Sequence, residues 1–220
     1  ALSGADQFMT FKSVVKQAAS VNGLYASFMP RPLEKEKSSA LTLMFEVYKD
    51  GKNLFEEKML EIEACSFVAG ILERLPELML YLKPTTNSYS EDSRRIPGWS
   101  NLSGKFSVCI PAIAGIKGRM ELTAADPAIN PHLVYALLIR AGLEGIQKEQ
   151  VLPQMEAPCG KLPLTLRQAI TAVNRGELSK RYVPEDVLNS YLKNKQDLAN
   201  EYTKAKKKAE YDLQAYFNLL

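Results

Sequence analysis

Residues 118–146 read GRMELTAADPAINPHLVYALLIRAGLEGI and carry two different periodicities. Over the first seven residues, apolar side chains return at every second position, which predicts a β-strand. From Asn130 onward the segment is apolar on nearly every side of a helix, and it opens with a preferred N-cap followed by proline. The sequence therefore predicts a strand followed by a deeply buried helix over 130–146.

The same two patterns recur on both sides of this segment. Residues 39–48 alternate cleanly, which places Thr42, Met44 and Glu46 on one strand face and the apolar residues on the other. The remaining predicted helices cover 6–20, 58–83, 164–173 and the chain beyond Pro184, and the remaining predicted strands cover 24–29 and 105–110. Mixed strands and helices of this kind indicate an α+β fold, with an antiparallel sheet packed against several long helices. We expect a single domain over residues 1–220, because no linker divides the chain.

Composition narrows the possible functions. The formal net charge is only +3, which is too small to indicate a nucleic acid or membrane partner, and the lysines of 204–212 are typical of a solvated helix face. Three widely spaced cysteines, with neither a leader nor a long apolar run, predict a cytoplasmic protein with reduced thiols. The single histidine, His132, is interpreted as a packing residue, so catalysis would depend mainly on other side chains.

Three segments resemble the catalytic domain of glutamine synthetases. They are ADQF…NGLYASFMPRPL (5–33), PTTNSY…IPG (84–98) and the segment at 118–146, in the family's order and spacing. The resemblance implies a funnel lined by an antiparallel sheet, where ATP and two or three divalent cations join ammonia to glutamate through a γ-glutamyl phosphate. It begins after the family's N-terminal domain and first metal-binding strands. We therefore expect the chain to correspond to the C-terminal half or so of the catalytic part.

The resemblance also implies that most ligand positions are altered. The family's metal-binding His falls on Thr42, its second His falls on Met44, and its flap Glu falls on Ser100. A strand Arg of the family falls on Cys109, and the Arg that follows the metal-binding Glu falls on Thr123. Because a thioether is a poor ligand for a hard cation, this strand face is predicted to have lost most of its affinity for metal.

A few positions keep the family's residue type. Glu121 matches the metal-binding Glu, and Glu46 is a second carboxylate that a neighbouring strand could bring close to it. One or two carboxylates are too few for a divalent cation, so both are interpreted as vestigial metal ligands. Pairing of Glu121 with Arg119, with Arg94 or with a backbone donor is the structural alternative. Asn87 and Arg94 are the candidate substrate-binding residues.

Other positions favour a structural role. The polar side chains of the predicted loop 84–98 are expected to hold the loop's own backbone through Asx and Ser/Thr turns. Cys109 has apolar strand neighbours and no activating base, so we predict a buried, inert thiol. Arg94 and Ser100 remain as vestigial catalytic candidates.

The preferred interpretation is a glutamine-synthetase-like protein without ligase activity of its own, acting as a scaffold or as a regulatory, oligomerising subunit. No cofactor is predicted for it, and its expected partner is a second copy or a glutamine synthetase subunit. One alternative is an active ligase completed by another chain, which would need ATP and Mg²⁺ or Mn²⁺. A second alternative is an amino-acid-binding module around Asn87 and Arg94.

Overall fold

The structure is a computed structural model that describes residues 1–56, 60–102, 104–111 and 118–220. Within these ranges the helices are α1 (Leu2–Val21), α2 (Ile62–Leu82), α3 (Pro131–Gln147), α4 (Leu166–Arg175), α5 (Leu178–Tyr182), α6 (Glu185–Lys204) and α7 (Lys208–Tyr216). The strands are β1 (Leu41–Phe45), β2 (Tyr48–Lys49), β3 (Lys52–Asn53), β4 (Ile96–Ser100), β5 (Phe106–Cys109) and β6 (Met120–Ala125). None of the described helices combines the length and apolar character needed to cross a lipid bilayer.

The main sheet has four strands in the order β1-β6-β5-β4. Its β1–β6 and β5–β6 pairs are antiparallel, as the sequence predicts, but β4 runs parallel to β5. The α+β prediction is confirmed, while the prediction of a loop through residue 98 is wrong. Pro97 and Gly98 hide the strand from sequence reasoning, and proline is tolerated there because β4 lies at an edge of the sheet.

The predicted strand at 24–29 is also wrong. These residues have no regular secondary structure, and two hydrogen bonds tie them to the end of the chain. The amide of Phe28 donates to the carbonyl oxygen of Leu220 at 3.0 Å, and the hydroxyl of Ser27 donates to that of Phe217 at 2.8 Å. An apolar run is a strand only where another strand is available to pair with it, and periodicity alone does not reveal that.

The predicted long helices form as expected, with shifted ends. Helix α2 begins at Ile62 rather than at 58, and the predicted positions 58–59 lie outside the described residues. Helix α3 has the predicted N-cap, because the Asn130 side chain accepts from the amide of Leu133. Its burial is less complete than predicted. His132 lies on an exposed stripe, where its Nε2 is 2.8 Å from a carboxylate oxygen of Asp6 on α1, so it is not a core packing residue.

Helices α2 and α3 approach each other through glycines. A Cβ atom built on Gly145 would lie 2.1 Å from the carbonyl oxygen of Ser66, and one on Gly142 would lie 2.2 Å from the ring of Phe67. Both distances are far below van der Waals contact, so only glycine permits this spacing. The helix pair packs on the apolar face of the sheet and forms the core with it.

The two edges of the sheet differ in whether a neighbouring segment forms backbone hydrogen bonds with them. At β4, the amides of Glu156 and Cys159 donate to the carbonyl oxygens of Trp99 and Pro97 at 2.9 and 2.8 Å, so a following segment covers this edge. At β1, no backbone group from outside the sheet forms a hydrogen bond with the strand, among the residues that the structure describes. Within the described ranges, the outer edge of β1 therefore has backbone groups available for pairing with another strand.

Candidate functional site

Four positions that align with site residues of the glutamine synthetase catalytic domain lie in one row across the sheet. Met44 pairs with Glu121, Glu121 pairs with Cys109, and Cys109 pairs with Ser100. Directly paired residues project from the same face, so their side chains line one side of the sheet. We call these four residues the polar row. The sequence predicted the faces of β1, β5 and β6, but it predicted neither the β4 strand nor the register that aligns the four residues.

A second row runs beside the polar row and projects from the opposite face. It consists of Leu43, Leu122, Val108 and Trp99, which pair in that order. We call it the apolar row. Its aliphatic members are buried in the core cluster together with residues of α2 and α3, and Trp99 packs against the cluster. The polar row therefore projects away from the helices.

The carboxylate of Glu121 is already paired. One of its oxygens accepts from Nε and Nη2 of Arg119, at 2.9 and 2.7 Å, and the Glu121 side chain is buried. Two charge-assisted hydrogen bonds from one guanidinium neutralise this carboxylate locally. The ion pair with Arg119 is one of the structural alternatives that the sequence suggested.

The neighbours of Glu121 in the polar row carry little charge. The Cys109 thiol is buried, and burial raises its pKa to about 11, so the thiol stays protonated. The Ser100 hydroxyl donates to the carbonyl oxygen of Leu102 at 2.5 Å, and Met44 is 57% exposed at the edge strand. Glu121 is therefore the only member of the polar row that carries a charge.

The other predicted positions lie outside the polar row. Thr42 is exposed on β1, and the Thr123 hydroxyl donates to the carbonyl oxygen of Phe106 at 2.8 Å. Glu46 follows the end of β1, where its carboxylate accepts from the Tyr48 hydroxyl at 2.9 Å. Across the described ranges, no three His, Cys, Asp or Glu side chains form a group that could hold a metal ion.

The loop before β4 is held by its own polar side chains, as the sequence predicts. Thr85 and Ser88 form a reciprocal capping box around a 3₁₀ turn. The Asn87 amide binds the backbone of Arg31 from both ends, since Oδ1 accepts from its N–H at 2.6 Å and Nδ2 donates to its carbonyl oxygen at 3.0 Å. Asn87 thus fastens the loop to the segment before β1.

Arg94 and Arg95 both line one shallow pocket beside Lys83, but they differ in their other contacts. Arg94, the predicted substrate-binding residue, is half exposed and lies 3.6 Å from the carboxylate of Glu91. Arg95 borders a small cavity together with Thr123, and Asn87 lines a different groove from Arg94. Tyr89 and Ser90 line both of these depressions, and the predicted amino-acid site around Asn87 and Arg94 stays a prediction.

Two buried charged residues that sequence reasoning missed lie beside Arg95. Lys83 is 4% exposed and donates to the carbonyl and hydroxyl oxygens of Ser93 at 2.6 and 2.8 Å, and burial lowers the pKa of its ammonium group to about 8. Asp126 is 2% exposed, and burial raises the pKa of its carboxyl group to about 6. Their only signal in the sequence was position, at the end of a predicted helix and just after a predicted strand.

Comparison with known proteins places this geometry in a family. The family model described as glutamine synthetase, catalytic domain, matches residues 1–214. The chain belongs to the glutamine synthetase family. It is 32% identical to the glutamine synthetase of Clostridium saccharobutylicum over 99% of its length and 34% identical to that of Methanosarcina mazei over 91%.

Two solved structures have the same fold as this chain. Apo GmaS without ligand matches 96% of this chain with a TM-score of 0.83 and 27% sequence identity. A complex of GmaS with ADP matches equally well, at 25% identity. The chain covers only 52% of the apo GmaS chain, and 54% and 50% of the two glutamine synthetases above. It therefore spans about half the length of the relatives that it matches.

Proposed function

We propose that this chain is a non-catalytic member of the glutamine synthetase family that acts as a scaffold or oligomerising subunit. The observation that carries the proposal is the polar row, in which the single carboxylate of Glu121 is already bound by Arg119. Mg²⁺ requires about six oxygen ligands, and a carboxylate engaged by a guanidinium is a poor donor to it.

The chemical requirements of the ligase reaction also support the proposal. Transfer of a phosphoryl group depends on metal ions and Arg or Lys side chains that offset the developing negative charge. Beside Glu121, the polar row offers a thioether, a protonated thiol and a hydroxyl. None of these groups supplies positive charge or a hard, anionic ligand, so the row has no means of stabilising the phosphoryl group.

An assay of glutamine formation tests this proposal directly. We expect no ATP-dependent glutamine from the purified chain with glutamate, ammonium and Mg²⁺ or Mn²⁺, while the Clostridium saccharobutylicum glutamine synthetase serves as positive control. A matched Glu121→Gln variant identifies contaminating activity. Glutamine formation by the wild type that is lost in this variant would overturn the proposal.

A second candidate function is an active ligase completed by another chain. The observation that favours it is the outer edge of β1, which has no backbone partner among the described residues. A strand from a second polypeptide could extend the sheet beside Met44 and bring further carboxylates to Glu121.

Sizing and ligand binding separate the two candidates. In the first, the chain alone or mixed with a full-length glutamine synthetase forms a defined assembly, but ADP with Mg²⁺ leaves its melting temperature unchanged. In the second, ADP with Mg²⁺ stabilises the mixed assembly, and glutamate adds to the shift. ADP is a suitable probe because GmaS has been solved in complex with it.

A further inference from the structure

A small cavity lies where the loop before β4 meets the sheet, and exposed residues, Ser39, Ala40 and Asp92, contribute to its lining. Its lining includes Ser38, Lys83, Ser88, Arg95, Thr123 and Asp126. Its volume is about 30 Å³, which is room for about two water molecules. We call it the Asp126 cavity. Four separate parts of the fold contribute to the lining, so the cavity is a product of tertiary structure.

Among the described residues, two buried polar atoms of residues that line this cavity form no close hydrogen bond. One is Oδ2 of Asp126, which has no close hydrogen bond, although the nearby Ser88 hydroxyl lowers the pKa of this carboxyl group; the other oxygen accepts from the amide of Ala128 at 2.9 Å. The second is Nε of Arg95, whose Nη1 donates to the carbonyl oxygen of Arg94 at 3.0 Å. Buried polar atoms are almost always paired, so these two atoms indicate a missing occupant.

The charges around the cavity favour an anionic occupant once Asp126 is protonated. Lys83 and Arg95 each contribute a positive charge, and Asp92 contributes a negative one. The amide of Ser38 donates to the Asp92 carboxylate at 2.6 Å and lowers its pKa to about 2, so Asp92 stays ionised. With Asp126 neutral, the lining carries a net charge of about +1.

More distant ionisable groups do not make the net charge around the cavity negative. Lys12 on α1 and Lys195 on α6 act electrostatically on Asp126, and both are cations that favour nearby negative charge. Tyr89 and Tyr191 also lie within electrostatic range, and burial raises the pKa of both phenols, so they remain neutral. The surroundings of the cavity therefore support an anion.

We propose that the Asp126 cavity binds one small monoanion of about the size of formate, together with one proton taken up by Asp126. The protonated Oδ2 donates to one oxygen of the anion, and Nε of Arg95 donates to the other. Both unpaired atoms thereby gain a partner, and the anion balances the excess positive charge. The small volume excludes larger carboxylates. This inference is independent of whether the chain is a ligase.

Sodium formate is the probe, compared with acetate and propionate at equal ionic strength. We expect formate to raise the melting temperature of the full chain, acetate to raise it less and propionate to have no effect. Because one proton enters with the anion, the dissociation constant for formate should rise about tenfold per pH unit between about pH 6.5 and 7.5. Equal shifts from all three anions, or a dissociation constant independent of pH, would overturn the proposal.

Three variants assign the effect to this cavity. Arg95→Gln should lose the formate shift, whereas the matched control Arg94→Gln should keep it, since Arg94 is half exposed, pairs with Glu91 and does not line the Asp126 cavity as the described residues form it. Asp126→Asn carries a permanent N–H donor, so we expect it to bind formate without pH dependence. Loss of the shift in Arg94→Gln as well as in Arg95→Gln would place the anion elsewhere and contradict the proposal.

A measurement on the wild type keeps the test decisive if a variant does not fold. Titration calorimetry with formate in two buffers of different ionisation enthalpy reports the number of protons taken up. We expect about one proton per formate near pH 7, where Asp126 is largely ionised before binding. Absence of a formate signal would mean that water alone fills the Asp126 cavity, and the proposal would then be wrong.

Discussion

The two faces of the four-stranded sheet differ in what their side chains contact. The apolar row packs against α2 and α3, whose close approach depends on glycines. The polar row carries one paired carboxylate between a thioether and a thiol, and its last member, Met44, is exposed. The difference teaches that the packing of this sheet against its helices depends on the apolar row, whereas the polar row contributes hydrogen bonds and an ion pair.

Gly145→Ala should have the largest effect, because Gly145 lies in the contact between the two helices that cover the apolar row. The added Cβ would lie 2.1 Å from the carbonyl oxygen of Ser66, so α2 and α3 must move apart. We expect a loss of about 2–3 kcal/mol in the free energy of unfolding, measured by urea denaturation. This loss would outweigh the gain of up to about 1 kcal/mol in helix propensity.

Gly4→Ala in α1 is the matched control for this variant. Its new Cβ would lie 3.6 Å from the ring of Tyr135, an ordinary van der Waals distance. We expect unchanged stability or a gain of up to about 1 kcal/mol. Equal effects of the two substitutions would show that α2 and α3 tolerate separation, and would contradict the contrast between the two faces.

The pH dependence of stability tests the buried carboxyl group of Asp126, just beyond β6. Burial raises the pKa of Asp126 in the folded state to about 6, above its value in the unfolded chain. Between about pH 4 and pH 6 the folded protein therefore holds the extra proton, and the contribution of Asp126 is lost as pH rises through about 6.

Comparison with Asp126→Asn isolates this contribution. Relative to that variant, the wild type should gain about 2 kcal/mol in its free energy of unfolding between pH 7 and pH 4, since one pKa unit corresponds to about 1.4 kcal/mol. Urea denaturation at each pH, in buffers without carboxylate anions, gives the difference. A difference that does not change with pH would mean that Asp126 is better solvated than its burial indicates.

Arg119→Ala tests the charged pair of the polar row. The substitution leaves the buried carboxylate of Glu121 without its guanidinium, which should lower the free energy of unfolding by about 1–2 kcal/mol at neutral pH. The double variant Arg119→Ala, Glu121→Gln should recover about half of this loss, because it removes the unpaired charge. A loss in Arg119→Ala that the second substitution leaves unrelieved would show that the pair is not coupled.

Sequence reasoning recovered the elements with strong periodicity and missed those set by tertiary contacts. The α2, α3 and β6 segments repeat their apolar residues over long stretches, so their patterns survive in the sequence. The β4 strand contains Pro97 and Gly98 and exists because β5 is beside it. Residues 24–29 have an apolar strand pattern but no partner strand.

The site divides in the same way. Alternation along each strand predicts which face Met44 and Glu121 occupy, but only the sheet register shows that they pair. Whether Arg94 or Arg95 lines the Asp126 cavity depends on how the loop turns before β4, and no local sequence pattern predicts that turn. The burial of Lys83 and Asp126 follows from the packing of the loop over them.

Met44→Lys should have the smallest effect on stability, and it tests the exposed end of the polar row. Met44 lies on the open edge strand, so we expect the free energy of unfolding to change by no more than about 0.5 kcal/mol. A lysine on an edge strand opposes pairing with another chain, so any self-association through β1 should weaken. Met155→Lys is the matched control, since Met155 is also exposed but belongs to the segment that covers β4.

Sedimentation velocity of the two variants should show a shift toward monomer for Met44→Lys alone. The same shift in both would mean that association does not use the β1 edge, and the contrast between the covered and the open edge would then have no consequence for assembly.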